Sequence, residues 1–191
     1  MIFEKIDAKI VNIQSNSFNL FSKSQKLASL GARLSDLHFV EGPVFSISCD
    51  PKNDVFVVGS GGGGANVGVR NYVTAISCKR NSSDDFYDFT QTSRIEIKGI
   101  PEVMRFHPPS ELFVVGAKFD CLIFKLSESG QLVQQAEFKV DSLFNQGLGL
   151  CGDAQNLQIA TAGEEGVIRI WNYQVGSSPA SLRREIKPDS G

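Results

Sequence analysis

Three segments of the chain repeat one order of strand, turn and strand, and this repeat limits the fold more than any other feature. In each segment an alternating strand is followed by a polar turn and by a denser apolar strand that ends in glycine. The segments are residues 43–59, 102–116 and 147–163. Period-two alternation is typical of strands, and clusters of Gly, Pro, Asn, Asp and Ser are typical of the turns between them. The sequence therefore predicts an all-β fold.

The spacing of the repeats indicates how the strands are arranged. The closing glycines, Gly59, Gly116 and Gly163, lie 57 and 47 residues apart. Each repeat continues into a further strand, over residues 72–77, 121–126 and 167–173. Four-stranded propeller blades recur at about 40 to 50 residues. We therefore predict a WD40-type β-propeller over residues 43–173. Since propellers close with about 4 to 8 blades, we expect a partial one of about three to four blades.

The third repeat carries the clearest signature. Residues 162–172 resemble the end of a WD repeat, with Glu165-Gly166 at the turn and Asn172 after Trp171. Trp171 is the one tryptophan of the chain. A large aromatic ring at this point favours packing between blades over a role in binding.

The two ends of the chain differ from the repeats. Residues 1–42 form an N-terminal extension, in which residues 6–13 read as a strand. Five leucines then recur at helical spacing, and we expect the apolar side of this amphipathic helix to pack on the propeller. These are Leu20, Leu27, Leu30, Leu34 and Leu37. The Gly, Ser and Pro content of residues 174–191 predicts a flexible tail.

Composition excludes several classes of protein. The net charge of -2 and the pI of about 5.7 argue against nucleic-acid binding. The four cysteines form no CxxC pair, and His38 and His107 lie far apart, so no zinc site is expected. Cys78 and Cys121 fall in or beside apolar runs and read as reduced core residues. No apolar run approaches the ~18 residues of a membrane-spanning helix, and no catalytic constellation is evident.

A glycine-rich loop joins two strands of the first repeat. It includes Gly61, Gly62, Gly63, Gly64 and Gly68 and ends at Asn71. Gly59-x-Gly61-x-x-Gly64 matches the dinucleotide fingerprint, but that motif requires a helix directly afterwards. Here β-branched and aromatic residues follow and predict a strand. Two interpretations stay open. In the first, the backbone carbonyl groups of the loop converge on a potassium ion, and an Asn side-chain oxygen adds one more ligand. In the second, the loop is a hairpin connection without a ligand.

The loop resembles that of a known family. A run of four glycines after an early strand, then Gly68-Val69-Arg70-Asn71, is similar to the exchange factors for the Sar-type small GTPase. The animal members are called prolactin regulatory element-binding protein. The resemblance covers residues 43–173 and implies a propeller that starts COPII coat assembly in transport from the endoplasmic reticulum to the Golgi.

The resemblance also implies a site and a location. Gly61, Gly62, Gly63, Gly64, Gly68 and Asn71 would form a potassium-ordered loop that projects into the nucleotide-binding region of the GTPase. Asn71 matches the key loop asparagine, which helps to hold the loop and contacts the GTPase. The protein would lie on the cytosolic face of the endoplasmic reticulum, attached by a C-terminal transmembrane helix that this chain does not include. The alternative function is a WD-repeat protein-interaction scaffold without exchange activity.

Overall fold

Twelve β-strands make up the regular structure of the described residues. The computed structural model describes residues 42–62, 69–80, 87–140, 147–177 and 179–188. The strands are β1 (Val44–Asp50), β2 (Val55–Ser60), β3 (Asn71–Arg80), β4 (Tyr87–Ile97), β5 (Pro101–His107), β6 (Leu112–Ala117), β7 (Asp120–Leu126), β8 (Leu132–Lys139), β9 (Gly147–Gly152), β10 (Asn156–Ala162), β11 (Ile168–Gln174) and β12 (Ser181–Ile186). They form three antiparallel four-stranded sheets, blade 1 (β1–β4), blade 2 (β5–β8) and blade 3 (β9–β12). The prediction of an all-β fold is confirmed.

The blades stack side by side through their first strands, as in a propeller. Strand β1 lies against β5, and β5 lies against β9. One apolar core fills the space between blades 1 and 2, and a second core fills the space between blades 2 and 3. The first includes Val57, Val73, Phe113 and Phe124, and the second includes Val114, Cys121, Leu157, Ile159 and Trp171. Blade 2 thus contributes one face to each core. This is possible because β6 is apolar at successive positions, so that its side chains on both faces can be buried.

The polar turns of the first two blades each end on a non-glycine residue with positive φ. Asp54 between β1 and β2 and Glu111 between β5 and β6 have positive φ values of 51° and 56°. These two turns lie next to each other, since Lys52 Nζ and Glu111 Oε1 are 2.5 Å apart. Exposed ion pairs of this kind contribute little to stability. The pair therefore shows that the two turns are adjacent, but it does little to stabilise the contact between the blades.

The fourth strand of each blade was not apparent in the sequence. Strand β12 occupies residues for which the sequence predicted a flexible tail, and it pairs with β11 over Ile168–Asn172. All six residues of β12 are exposed. Side chains alternate between apolar and polar where one face of a strand is buried, and β12 buries neither face. The pattern that identifies inner strands is therefore missing here, although the backbone hydrogen bonds are made.

The N-terminal extension lies almost wholly outside the described residues. This applies to the strand predicted for residues 6–13 and to the helix predicted from Leu20, Leu27, Leu30, Leu34 and Leu37, both of which stay predictions. Over the ranges that are described, there is no helix of sufficient length and apolar character to cross a membrane.

Candidate functional site

The candidate site is the base of the glycine-rich loop between β2 and β3. Gly61, Gly62, Val69 and Arg70 are described, and Asn71 opens β3. Gly63, Gly64 and Gly68, which the resemblance assigns to a potassium site, lie outside the described residues. The first described element after the loop is strand β3, which opens at Asn71, whereas a dinucleotide fingerprint leads into a helix.

Asn71 is buried at the base of the loop. Its side chain is 3% exposed, and its amide nitrogen donates a hydrogen bond of 3.2 Å to the backbone carbonyl of Lys98. Its amide oxygen is buried and has no hydrogen-bond donor among the described residues. A buried oxygen without a donor is costly and needs an explanation. Asn71 therefore offers an acceptor at the base of the loop, while its nitrogen fixes the side chain to the junction between blades 1 and 2.

Gly61 fits closely against Asn71. Its backbone N–H donates a 3.0 Å hydrogen bond to the carbonyl of Pro43. A Cβ atom at position 61 would overlap with the Asn71 amide oxygen and lie 2.9 Å from the Asn71 Cα. At position 62, an added Cβ would lie 2.6 Å from the Cβ of Val69. Glycine is needed at positions 61 and 62 because the two sides of the loop base pack closely against each other. Its role there goes beyond the backbone flexibility that a loose connection would need.

Charged side chains flank the loop base on the β4 side. Arg70 Nη1 lies 3.0 Å from Glu96 Oε2, and both side chains are more than half exposed. Hydrogen bonding to Glu96, together with its charge, raises the pKa of Arg70. The guanidinium carbon of Arg94 lies 3.5 Å from the ring centroid of Tyr72. These contacts hold the first residues of β3 against β4, next to the buried Asn71.

A polar groove runs between blades 1 and 2 beyond Lys98. Its lining includes Glu96 and Lys98 from blade 1 and Asp120, Gln134 and Glu137 from blade 2. The sequence did not indicate this groove, because its side chains come from strands far apart along the chain. Gln134 Nε2 donates to Glu137 Oε2 at 3.2 Å, so part of its polar lining is already paired.

Trp171 packs between blades, as the sequence predicted. The side chain is 7% exposed, and its ring centroid lies 4.9 Å from that of Phe138 in blade 2. Its indole N–H donates a 3.0 Å hydrogen bond to Thr161 Oγ1 on β10. The ring is therefore satisfied both in packing and in hydrogen bonding, and it is not available to a ligand.

Arg169 forms a buried charge cluster that sequence reasoning missed. Its side chain is 10% exposed. Its Nε donates to Glu185 Oε1 at 2.8 Å, and its Nη1 contacts Glu165. Burial lowers the pKa of Arg169, but hydrogen bonds and charges from Glu165 and Glu185 outweigh it and raise the pKa. The cluster ties β12 to β11, and the available signal was an arginine between Ile168 and Ile170.

His107 links the polar turns of blades 2 and 3. It is 5% exposed, and its Nδ1 lies 2.8 Å from Ser110 Oγ. Burial lowers its pKa, although a hydrogen bond with the backbone of Gly152 and the charge of Asp153 act in the opposite direction. The folded protein thus favours neutral His107.

The cysteines have the character predicted for core residues. Cys78 and Cys121 are buried and free. Burial, and to a lesser extent the charge of Asp54, raises the pKa of the Cys78 thiol to about 11. Burial raises the pKa of Cys121 as well. Within the described ranges, no group of three or more His, Cys, Asp or Glu side chains is placed to hold a metal ion.

No protein-family model and no curated protein matches the chain, but solved structures do. A protein from Lactobacillus plantarum matches with a TM-score of 0.60 and 10% identity, over 80% of this chain and 44% of that one. Saccharomyces cerevisiae Sqt1 matches with a TM-score of 0.54 and 12% identity, over 74% and 35%. Chaetomium thermophilum Sqt1, bound to the N-terminus of ribosomal protein L10, matches with a TM-score of 0.56 and 19% identity, over 78% and 35%.

The chain has the fold of a WD40-type β-propeller. This partial propeller spans less than half the length of each of the three matching structures. At identities of 10–19% the likeness establishes the fold alone. The prediction of a partial WD-type propeller is confirmed, while the exchange-factor family stays a prediction that rests on the glycine-rich loop.

Proposed function

We propose that this partial propeller is a protein-interaction scaffold. The observation that carries the proposal is the outer face of blade 3, which is the face turned away from blade 2. Ile168 and Ile186 lie opposite each other in the β11–β12 register, and each is 41% exposed. Ile170 and Ala160 are paired on the same face and only half-buried. Neighbouring exposed apolar side chains of this kind mark sites of protein contact.

The other face of blade 3 supports this interpretation. There Leu157, Ile159 and Trp171 are buried against blade 2. Blade 3 is therefore apolar on its inner face and, around Ile168, Ile170 and Ile186, on part of its outer face. Among the described strands, only the inner face has a neighbour. A protein that presents an apolar β surface is the partner that such a face fits. The bound segment of ribosomal protein L10 in the Chaetomium thermophilum structure supports a protein ligand for a propeller of this fold.

A photo-crosslinking experiment tests the scaffold function. The photoreactive residue p-benzoylphenylalanine replaces Ile168 in the full chain, and in a matched control it replaces Gln135, a half-buried polar residue of β8. We expect a protein adduct at position 168 that is absent at position 135 and is lost when Ile186→Asp is added. Equal adducts at both positions, or none at 168 in a folded chain, would contradict the proposal.

A second candidate function is nucleotide exchange on a Sar-type small GTPase, at the cytosolic face of the endoplasmic reticulum. The buried amide oxygen of Asn71 next to Gly61 favours it, together with the resemblance of the loop. An oxygen without a donor fits a cation ligand, and potassium, when bound, would supply the charge that gathers loop oxygens around it. Gly61, Gly62 and Asn71, with Gly63, Gly64 and Gly68, are the residues that would hold it. The burial of Asn71 supports a role in holding the loop over a direct contact with the GTPase.

Nucleotide release distinguishes the two functions. The release of fluorescent GDP from a Sar-type GTPase is measured with the wild-type chain and with Asn71→Ala, in potassium and in sodium buffers. An exchange factor would accelerate GDP release in potassium, because it binds the nucleotide-free GTPase more tightly than the nucleotide-bound GTPase. Asn71→Ala and sodium would each slow this release, because each would disturb the potassium-ordered loop. Equal rates in every arm, with circular dichroism showing that both chains are folded, would reject exchange and leave the scaffold function standing.

A further inference from the structure

The outer face of blade 1, which is turned away from blade 2, exposes large apolar side chains along its first strand. Ile47 on β1 pairs with Val58 on β2. Strand alternation puts both on the side opposite to Val57, which belongs to the core between blades 1 and 2. Ile47 is 39% exposed and Phe45, at the start of the same strand, is 43% exposed, whereas Val58 is 5% exposed. The exposed apolar surface of this face is therefore concentrated on β1.

The outer face of blade 3 has the opposite distribution. Its first two strands present small residues, and the exposed isoleucines lie on its last two strands, at Ile168 and Ile186. The small residues are Gly147 and Gly149 on β9 and Ala160 and Ala162 on β10. A Cβ atom added at Gly149 would meet one neighbour, the Cβ of Ala160 at 3.6 Å, so there is room for a side chain from outside. The two outer faces thus differ in exposure strand by strand.

The two faces are complementary when they are laid together with first strand beside first strand. Phe45 and Ile47 then lie over the glycines and alanines of β9 and β10, and the isoleucines of blade 3 lie over the middle strands of blade 1. The described blades already meet in this way, because β1 lies against β5 and β5 lies against β9. A further contact, between β9 and another β1, continues the same series and buries apolar side chains that are otherwise exposed.

We propose that the partner on the outer face of blade 3 is the outer face of blade 1 of a second copy of this chain. The inference rests on the proposed scaffold function and names its partner. Because each copy carries both faces, two copies make the contact twice, and a head-to-tail contact that repeats in this way closes a ring. Two copies bring together six described blades, within the range of about 4 to 8 blades at which propellers close.

Two cysteines provide a chemical probe of the proposed contact. Cys49 lies on β1 two residues after Ile47, and Cys151 lies on β9 two residues after Gly149, so each is on the outer face of its blade. Cys151 is exposed and Cys49 is half-buried, whereas the other two cysteines of the chain are buried. Each is also the second-last residue of its strand. First strands that lie side by side in the same direction therefore bring Cys49 of one copy level with Cys151 of the other.

Cross-linking of the full chain with a short bis-maleimide tests the contact. We expect a covalent dimer in which mass spectrometry of the digest finds the Cys49 peptide linked to the Cys151 peptide. Cys49→Ser and Cys151→Ser should each abolish this link. A mixture of isotopically labelled and unlabelled chains shows whether the linked peptides come from different copies. A link between two Cys151 residues, a Cys49–Cys151 link within a single chain, or no covalent dimer would overturn the proposal.

Sedimentation velocity over a range of concentrations tests the head-to-tail geometry. Ile47→Asp and Ile186→Asp should each raise the dimer dissociation constant by at least about tenfold, because each places unpaired carboxylates in an apolar contact. Val133→Asp is the matched control, since Val133 on β8 is 45% exposed but lies on neither outer face, and its dissociation constant should equal that of wild type. An equal mixture of the Ile47→Asp and Ile186→Asp chains should dimerise more strongly than either alone, because one of the two contacts is then intact.

Two results separate this inference from the scaffold function. A wild-type chain that stays monomeric, together with an adduct of position 168 to a different protein, would overturn the second copy as partner and leave the scaffold function standing. Dimers that Ile47→Asp leaves unchanged and Ile186→Asp disrupts would also overturn it, because the outer faces of two blades 3 would then meet each other.

Discussion

At the scale of single residues, the base of the glycine-rich loop depends on the close fit between Gly61 and Asn71. The glycine leaves room for the amide of Asn71, and the amide nitrogen reaches the carbonyl of Lys98. One methyl group is enough to disturb this arrangement, because the nearest atoms belong to backbone as well as to a side chain. The loop base is thus rigid at the point where the loop begins.

Gly61→Ala tests that fit. The added Cβ lies 2.9 Å from the Cα of Asn71, and relief of such a clash costs about 1–3 kcal/mol of stability. Gly149→Ala is the matched control, because its Cβ would have one neighbour, the Cβ of Ala160, at an ordinary 3.6 Å. Urea unfolding should show a lower midpoint for Gly61→Ala only. Equal midpoints for the two variants would mean that the loop base is not packed as described.

Trp171 offers a second prediction at this scale. Thr161→Val keeps the shape of the side chain but removes the acceptor of the indole N–H. A buried donor left without a partner costs about 1–3 kcal/mol. Because Trp171 is the only tryptophan, its fluorescence follows unfolding directly. Thr161→Ser, which keeps the hydroxyl, should lose less stability than Thr161→Val. A valine variant as stable as wild type would argue against the hydrogen bond.

At the scale of elements, polar side chains join strands that apolar packing alone would leave loosely placed. Arg169 on β11 reaches Glu185 on β12, and it fixes an edge strand whose own residues are all exposed. His107 at the end of β5 forms a hydrogen bond with the backbone of Gly152 at the end of β9. Each of these contacts joins elements that meet only because the chain has folded into blades.

The junction at His107 predicts a dependence of stability on pH. Burial lowers the pKa of His107 below its ordinary value of 6.5, so the unfolded chain binds a proton more readily than the folded one. The stability that neutral His107 contributes is therefore complete above pH 6.5 and declines as the pH falls below that value. Urea midpoints measured between pH 7.5 and 5 should fall more for wild type than for His107→Gln, which does not titrate. If the urea midpoints of both proteins fell in parallel with pH, this role of His107 would be contradicted. Any pH dependence that comes from His38 or Glu102 is present in both proteins and cancels in the comparison.

At the scale of the whole molecule, blade 2 is the centre of stability. It supplies one face to the core shared with blade 1 and the other face to the core shared with blade 3. All six residues of β6 are buried, whereas all six of β12 are exposed. Buried strands within shared cores open only when the surrounding structure opens, while exposed edge strands open locally.

Hydrogen exchange of the full chain measures this gradient. We expect the amides of β6 and β7 to exchange most slowly and those of β12 most quickly among the described strands. Exchange of β6 as rapid as that of β12 would show that the blades do not share cores.

Much of the fold was predictable from the sequence because inner strands carry a local signal. The repeats at residues 43–59, 102–116 and 147–163 correspond to the first two strands of each blade, and the following apolar runs correspond to the third. The outermost strands were missed, most clearly β12, where the sequence predicted a tail. Strand β12 buries neither face against another blade, so its residue types are not constrained to alternate.

The sequence by itself determined the order of strands and turns, the WD-type repeat and the position of the glycine-rich loop, because each depends on residues close together along the chain. Only the tertiary structure decided that Asn71 is buried with an amide oxygen that no described residue donates to, that Arg169 is paired with two glutamates, and that the outer faces of blades 1 and 3 differ in exposure. Contacts such as Asn71 with Lys98 join residues 27 positions apart, and contacts such as Ser46 with Pro101 join residues 55 apart. No local pattern encodes such distances, since they arise only when whole blades pack together.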